Sequence, residues 1–156
     1  KDLEITRRAC AKFGNVPVAV MNFLEGTRFT KEKHSRQKSP YKNLLMPKAG
    51  GAAYVLSIMG KQLDGILNVT IIYPDGDSGF WSFLCGKVER IRVVVERIPV
   101  TKNILGDYAA DEKYQTRFRN WVNKLWKTKD QLMTKELTPR AAAKKTVRRK
   151  KNPPTE

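Results

Sequence analysis

One histidine, two cysteines and half as many acids as bases set the first limits on this 156-residue chain. The single histidine, His34, excludes any site built on a histidine cluster. Cys10 and Cys85 stand far apart, in no C-x-x-C or Cys/His spacing, so neither a zinc site nor a thioredoxin-type redox motif is encoded. Two such thiols fit a reducing compartment better than a disulfide framework. No run approaches the roughly 18 consecutive apolar residues that a membrane-spanning helix needs, and no cleavable signal peptide is present.

Acids are scarce as well: 15 Asp and Glu face 31 Lys and Arg, a formal charge of +16. That excess favours polyanionic partners such as nucleic acid, anionic headgroups or phosphate-rich molecules. Part of it is local. Residues 139–156 carry seven bases (Arg140, Lys144, Lys145, Arg148, Arg149, Lys150, Lys151) and one acid, +6 of the +16. The body of the chain therefore keeps +10, and both parts are cationic.

What is present alternates between helical and strand-like patterns. Residues 2–13 predict a short helix, with Asp2 as N-cap, Gly14 as its stop and Leu3, Cys10 and Phe13 on one side. Because Lys1 opens directly in this pattern, the chain is expected to be a fragment. Val16 to Leu24 is a continuous apolar run that predicts a strand buried on both faces, with Pro17 confined to its start. Thr30 to Pro47 is polar and irregular and reads as a long loop, a kind of segment that is commonly functional. Lys48 to Leu63 places Ala49, Ala52, Ala53, Leu56, Met59 and Leu63 at helical spacing. Leu67 to Tyr73 predicts a second buried strand, stopped by Pro74 and the turn-rich DGDSG. Val88 to Arg97 predicts a third, with one wet face.

From Asp111 to about Leu137 a helical period returns in Tyr114, Phe118, Trp121, Val122, Leu125, Trp126, Leu132 and Met133. This spacing favours core packing of Phe118, Trp121 and Trp126 over contact with an interface. Residues 139–156 have too little apolar content to fold around and are expected to be disordered. The domain expectation is one α/β unit over residues 1–138, followed by a basic tail over 139–156.

The chemistry concentrates at Phe23-Leu24-Glu25-Gly26-Thr27-Arg28-Phe29, a turn just beyond an apolar strand, where α/β sheets place ligand groups. Gly26 allows the turn and a close backbone approach. Arg28 offers a planar fork for two-pronged phosphate contacts. Thr27 adds a hydroxyl, and Glu25 can orient Arg28 or accept from a substrate hydroxyl. An ordinary strand-end turn bearing a surface ion pair is the plain alternative. Lys48, before Gly50 and Gly51, either meets a phosphate near a helix start or is a solvated first-turn lysine. His34 reads as a polar loop residue.

FLEGTRF resembles the third conserved block of the lysophosphatidic acid acyltransferases and their glycerol-phosphate acyltransferase relatives. EGTRFTKEKH followed by LLMPKAGG resembles the branch that includes lysophosphatidate and lysocardiolipin acyltransferases, and LNVTIIYPDG resembles the fourth block. The likeness runs from about Asp2 to Met133 and is strongest over residues 21–30. It implies the C-terminal part of a mixed-sheet, α/β glycerophospholipid acyltransferase domain, in which Glu25, Gly26, Thr27, Arg28 and Lys48 bind the acceptor's phosphate.

The resemblance further implies an acyl thioester donor, acyl-CoA or acyl carrier protein, with no other cofactor. The acceptor is a lysophospholipid such as 1-acyl-glycerol-3-phosphate. The implied location is the cytoplasmic face of a membrane, the bacterial inner membrane, with the basic tail against anionic lipid. The family's general base is the histidine of an H-x-x-x-x-D motif upstream of the EGTR block. His34 lies downstream of that block and is followed five residues later by Ser39, so no catalytic residue is expected in this chain. The rivals are a basic nucleic-acid-binding module, which lacks any recognisable RRM, KH, zinc-finger or helix-turn-helix pattern, and a non-catalytic peripheral membrane protein.

Overall fold

A computed structural model of the chain describes residues 18–74 and 79–137. The helix expected over 2–13 and the tail over 139–156 lie outside the described residues.

The first regular element falls where a loop is expected. Helix α1, Lys31–Gln37, interrupts the polar stretch and buries none of its residues. Capping makes it. The Thr30 hydroxyl accepts from the Lys33 amide at 3.2 Å, meeting one of the free donors of the first turn. Lys38 then closes the end in the left-handed region, φ 49°. An apolar period cannot reveal a helix that has no apolar face.

Helix α2, Ala49–Met59, buries Ala49, Ala53, Leu56 and Met59. Strand β1, Ile66–Ile72, follows. A five-residue helix α3, Phe80–Leu84, comes next; it is too short to carry a legible period. Strand β2, Arg92–Ile98, pairs antiparallel with β1, Val69 opposite Val95 and Ile71 opposite Val93. A 3₁₀ turn at Lys102–Ile104 leads into the long helix α4, Glu112–Leu137. Its start is anchored by Asp111, whose carboxylate accepts from the Tyr114 amide at 3.0 Å.

The core lies mainly between α2 and α4, with the inner sheet face alongside. Tyr114, Phe118, Val122 and Trp126, spaced by four, are buried together with Leu44, Ala53, Leu56 and Ile104. The helical spacing of the aromatics thus does serve the core. Two buried polar tips are matched: the Tyr114 hydroxyl donates to the Ile104 carbonyl at 2.8 Å, and the Trp126 indole N–H to the Leu45 carbonyl at 3.2 Å. At Gly106 a side chain is excluded, because a Cβ there would come within 2.5 Å of the Tyr114 ring.

Two strand expectations need correction. Residues 18–23 form no strand: neither described strand pairs with them, and Met21 and Phe23 are 82% and 75% exposed. An apolar run supplies a strand's side chains but not its neighbour, and the only two described strands pair with each other. β1, in turn, is not buried on both faces. Thr70 and Ile72 are buried, whereas Leu67, Val69 and Ile71 are exposed with Val93 and Val95 of β2. One face of the antiparallel pair is covered and the other open, the usual condition of such a sheet. The wet face expected of β2 is present. The architecture is a small mixed α/β domain with a two-stranded antiparallel sheet.

Candidate functional site

The turn after residues 18–23 is closed by the Gly26 amide, which donates to the Phe23 carbonyl at 2.8 Å. Gly26 has φ +68°, a left-handed conformation that is strained for residues with a Cβ. The sequence therefore puts its glycine where the backbone requires one. The next contact joins the turn to α2. The Lys48 amide donates to the Leu24 carbonyl at 2.6 Å, and the Lys48 Nζ lies 3.6 Å from where a Gly26 Cβ would stand. Lys48, 22 residues on, thus folds over the glycine.

A second lysine reaches the turn from α1. Lys33 Nζ donates to the Thr27 hydroxyl at 2.6 Å and to the Arg28 carbonyl at 3.3 Å. Sequence reasoning did not single out Lys33. Its signal is visible only once Thr30–Gln37 is known to be a capped helix, which brings position 33 back toward position 27. Arg28 itself is exposed. Two lysine side chains, Lys33 and Lys48, thus reach the glycine turn that carries the exposed Arg28, an arrangement suited to a phosphate or another compact anion.

Glu25 departs from its expected place beside Arg28 or a substrate hydroxyl. It turns toward the interior, where the Leu45 amide, the Trp126 indole N–H and the Lys129 charge face it. Burial is the larger effect and raises the carboxyl above its ordinary value, with those three partners pulling the other way. Lys129 is the complement: burial depresses its ammonium pKa, while Glu25 and Glu96 oppose the shift. Its Nζ donates to the Val69 carbonyl at 2.8 Å and lies 4.9 Å from the centre of the Trp126 ring. Trp126 of α4, whose N–H donates to the Leu45 carbonyl, and Lys129 of the same helix both help to hold this carboxylate in its charged form. The structure brings Gly26, Thr27, Arg28 and Lys48 together and turns Glu25 away from them.

His34 is structural. Its Nε2 is hydrogen-bonded to the Tyr41 carbonyl, where only the N–H form can serve, and its ring packs against Phe29 with centroids 5.6 Å apart. Tyr114, Phe118 and Trp126 are buried in the core and are not displayed for base stacking. Among the described residues no helix is long and apolar enough to cross a membrane. Comparison with known proteins adds no relative: no family model, curated protein or solved structure matches this chain.

Proposed function

We propose that the chain is the C-terminal part of a glycerophospholipid acyltransferase domain and that it supplies the phosphate subsite for the acceptor, a lysophospholipid such as 1-acyl-glycerol-3-phosphate. The observation that carries this reading is the convergence of Lys48 and Lys33 on the left-handed Gly26 turn that bears Thr27 and Arg28. In this role Arg28 grips the phosphate with two parallel N–H groups, and Lys48 adds charge above the glycine. Lys33 holds Thr27 and the backbone in register, and Glu25 fastens the turn from behind.

The acyl group comes from a thioester, acyl-CoA or acyl carrier protein. The acceptor hydroxyl gives its proton to a general base as its oxygen attacks the thioester carbonyl. The C–O ester bond forms, the C–S bond breaks, and the departing thiolate takes the proton back from the base as free thiol. Histidine suits that task, its pKa lying near operating pH. The base belongs to the H-x-x-x-x-D motif expected ahead of Lys1, and His34, engaged with Tyr41, is not it. The +16 charge supports work at the anionic cytoplasmic face of a membrane.

Steady-state kinetics of the parent enzyme, with both substrates varied, tests the assignment. Arg28→Ala should raise the acceptor's KM and leave the donor's nearly unchanged. Arg28→Lys should fail to restore it, because an ammonium keeps the charge but loses the fork. Loss of charge-assisted hydrogen bonds of this kind costs about 2–3 kcal/mol, roughly 30- to 150-fold in kcat/KM. An unchanged acceptor KM and kcat/KM, or an effect confined to the donor, would refute the subsite. The 156-residue chain by itself should transfer no acyl group.

A further inference from the structure

Helix α3 and the loop after it put large apolar side chains outside the core. Trp81 is 74% exposed, and Phe83 and Leu84 are each 57% exposed. The turn after the helix is open at Gly86, φ +68°, where a Cβ would have nothing within 4 Å. Directly behind the apolar tip comes positive charge. Between Gly79 and Arg92 the sequence has Lys87, Arg90 and Arg92 against one acid, Glu89. Lys87 and Arg90 are exposed, and Arg92, which pairs with Glu136 at 2.8 Å, keeps its side chain 52% exposed.

Resting on the reading that this chain works at a membrane, we infer that α3 is its seat in the bilayer. Trp81, Phe83 and Leu84 enter the headgroup–acyl boundary, and Lys87, Arg90 and Arg92 meet anionic headgroups around them. Charge decides between the candidate occupants. A second copy would bring another +16 to a segment already followed by the exposed Lys87, Arg90 and Arg92, whereas an anionic lipid surface complements it. The residue types agree. Tryptophan is enriched at membrane interfaces, and an apolar tip with a basic rim is the composition of segments that lie in the interface plane. In sequence the patch follows β1 and Pro74. A lipid acceptor would then stay in the membrane while its headgroup is engaged.

Trp81 reports on the idea directly, because Trp126 is buried and Trp121 half-buried. The full 156-residue chain is titrated with vesicles of phosphatidylcholine alone and with phosphatidylglycerol added. The anionic vesicles should blue-shift the tryptophan emission, and lipids brominated on the acyl chain should quench it. Trp81→Phe should abolish the shift while vesicle binding persists. The double variant Phe83→Ser with Leu84→Ser, checked for folding by circular dichroism, should bind on the order of tenfold more weakly.

Binding without a change in Trp81 emission would mean that the basic tail alone holds the membrane, and would overturn the inference. So would protection of Trp81 from iodide before vesicles are added. If that protection grows with protein concentration, a second copy covers the patch; if it does not, the chain's own residues do. The two proposals can fail separately. A parent enzyme without acyl transfer whose Trp81 still seats in anionic vesicles would remove the function and leave the membrane seat.

Discussion

Glu25 and Lys129 are opposite charges, yet burial shifts both toward their neutral forms. The Glu25 carboxyl is raised and the Lys129 ammonium depressed, each mainly by loss of water and each partly rescued by the other. The consequence for stability has a definite sign. A carboxyl whose pKa is raised on folding stabilises the fold fully below its unfolded value, near 4.5. That contribution is lost as pH rises through the folded value. Glu25→Gln, which cannot ionise, should therefore gain in melting temperature relative to the natural chain as pH rises through that window. A difference that is flat or falls with pH would show that Glu25 is not charged at a cost. Lys129→Met should raise the Glu25 carboxyl further, as read from its side-chain ¹³C shift in an NMR titration, because the charge of that lysine opposes the rise.

At this scale the sequence was partly legible. Gly26 is needed for φ, and Lys48 follows from its place ahead of α2. Glu25 was misplaced because a strand-end carboxylate beside an arginine suggests an ion pair, and nothing local announces an indole N–H a hundred residues away.

Among the described residues, Asp130 of α4 joins the elements through several hydrogen bonds. Its carboxylate accepts from the Lys42 amide at 3.0 Å, the Asn43 amide at 2.7 Å and the Asn43 side-chain amide at 3.1 Å. Asn43 also donates to the Thr134 hydroxyl at 2.7 Å. These bonds fix the segment between α1 and α2, and with it the Leu45 carbonyl that receives Trp126. Asp130→Ala should lower stability by about 1–3 kcal/mol, since it leaves two backbone amides without their charged acceptor. Asp130→Asn, which retains one acceptor oxygen, should lose less. Chemical denaturation midpoints with unchanged slopes would measure this, and equal losses in the two variants would show that geometry rather than hydrogen bonding is at stake.

Long periodic elements were legible at this scale: α2, β1, β2 and α4 stand within a few residues of where their patterns place them. The capped but wholly polar α1 was not, for it is held by Thr30 and Lys38 rather than by burial. Residues 18–23 fail in the opposite way. Their side chains suit a strand, but a strand exists only when a neighbour takes its hydrogen bonds.

For the molecule as a whole, charge is the dominant property, and it is divided between body and tail. The tail's +6 is carried by residues 139–156, and the body retains +10, including the cations behind α3 and around the Gly26 turn. The two parts should bind anionic membranes by different physics. Attraction of the tail's lysines and arginines is long-ranged, worth about 1 kcal/mol per residue near the surface and screened once the Debye length falls below about 10 Å. Seating of Trp81, Phe83 and Leu84 depends on apolar transfer, which added salt does not weaken. Deleting residues 139–156 should therefore weaken binding to phosphatidylglycerol vesicles at low salt and flatten its dependence on salt concentration, while a salt-resistant remainder persists. Circular dichroism should show a melting temperature that barely moves, because the core of Tyr114, Phe118, Val122 and Trp126 lies wholly ahead of the deletion. A large fall in melting temperature would show that the tail packs on the domain. Loss of all binding at every salt concentration would show that α3 contributes no apolar seat.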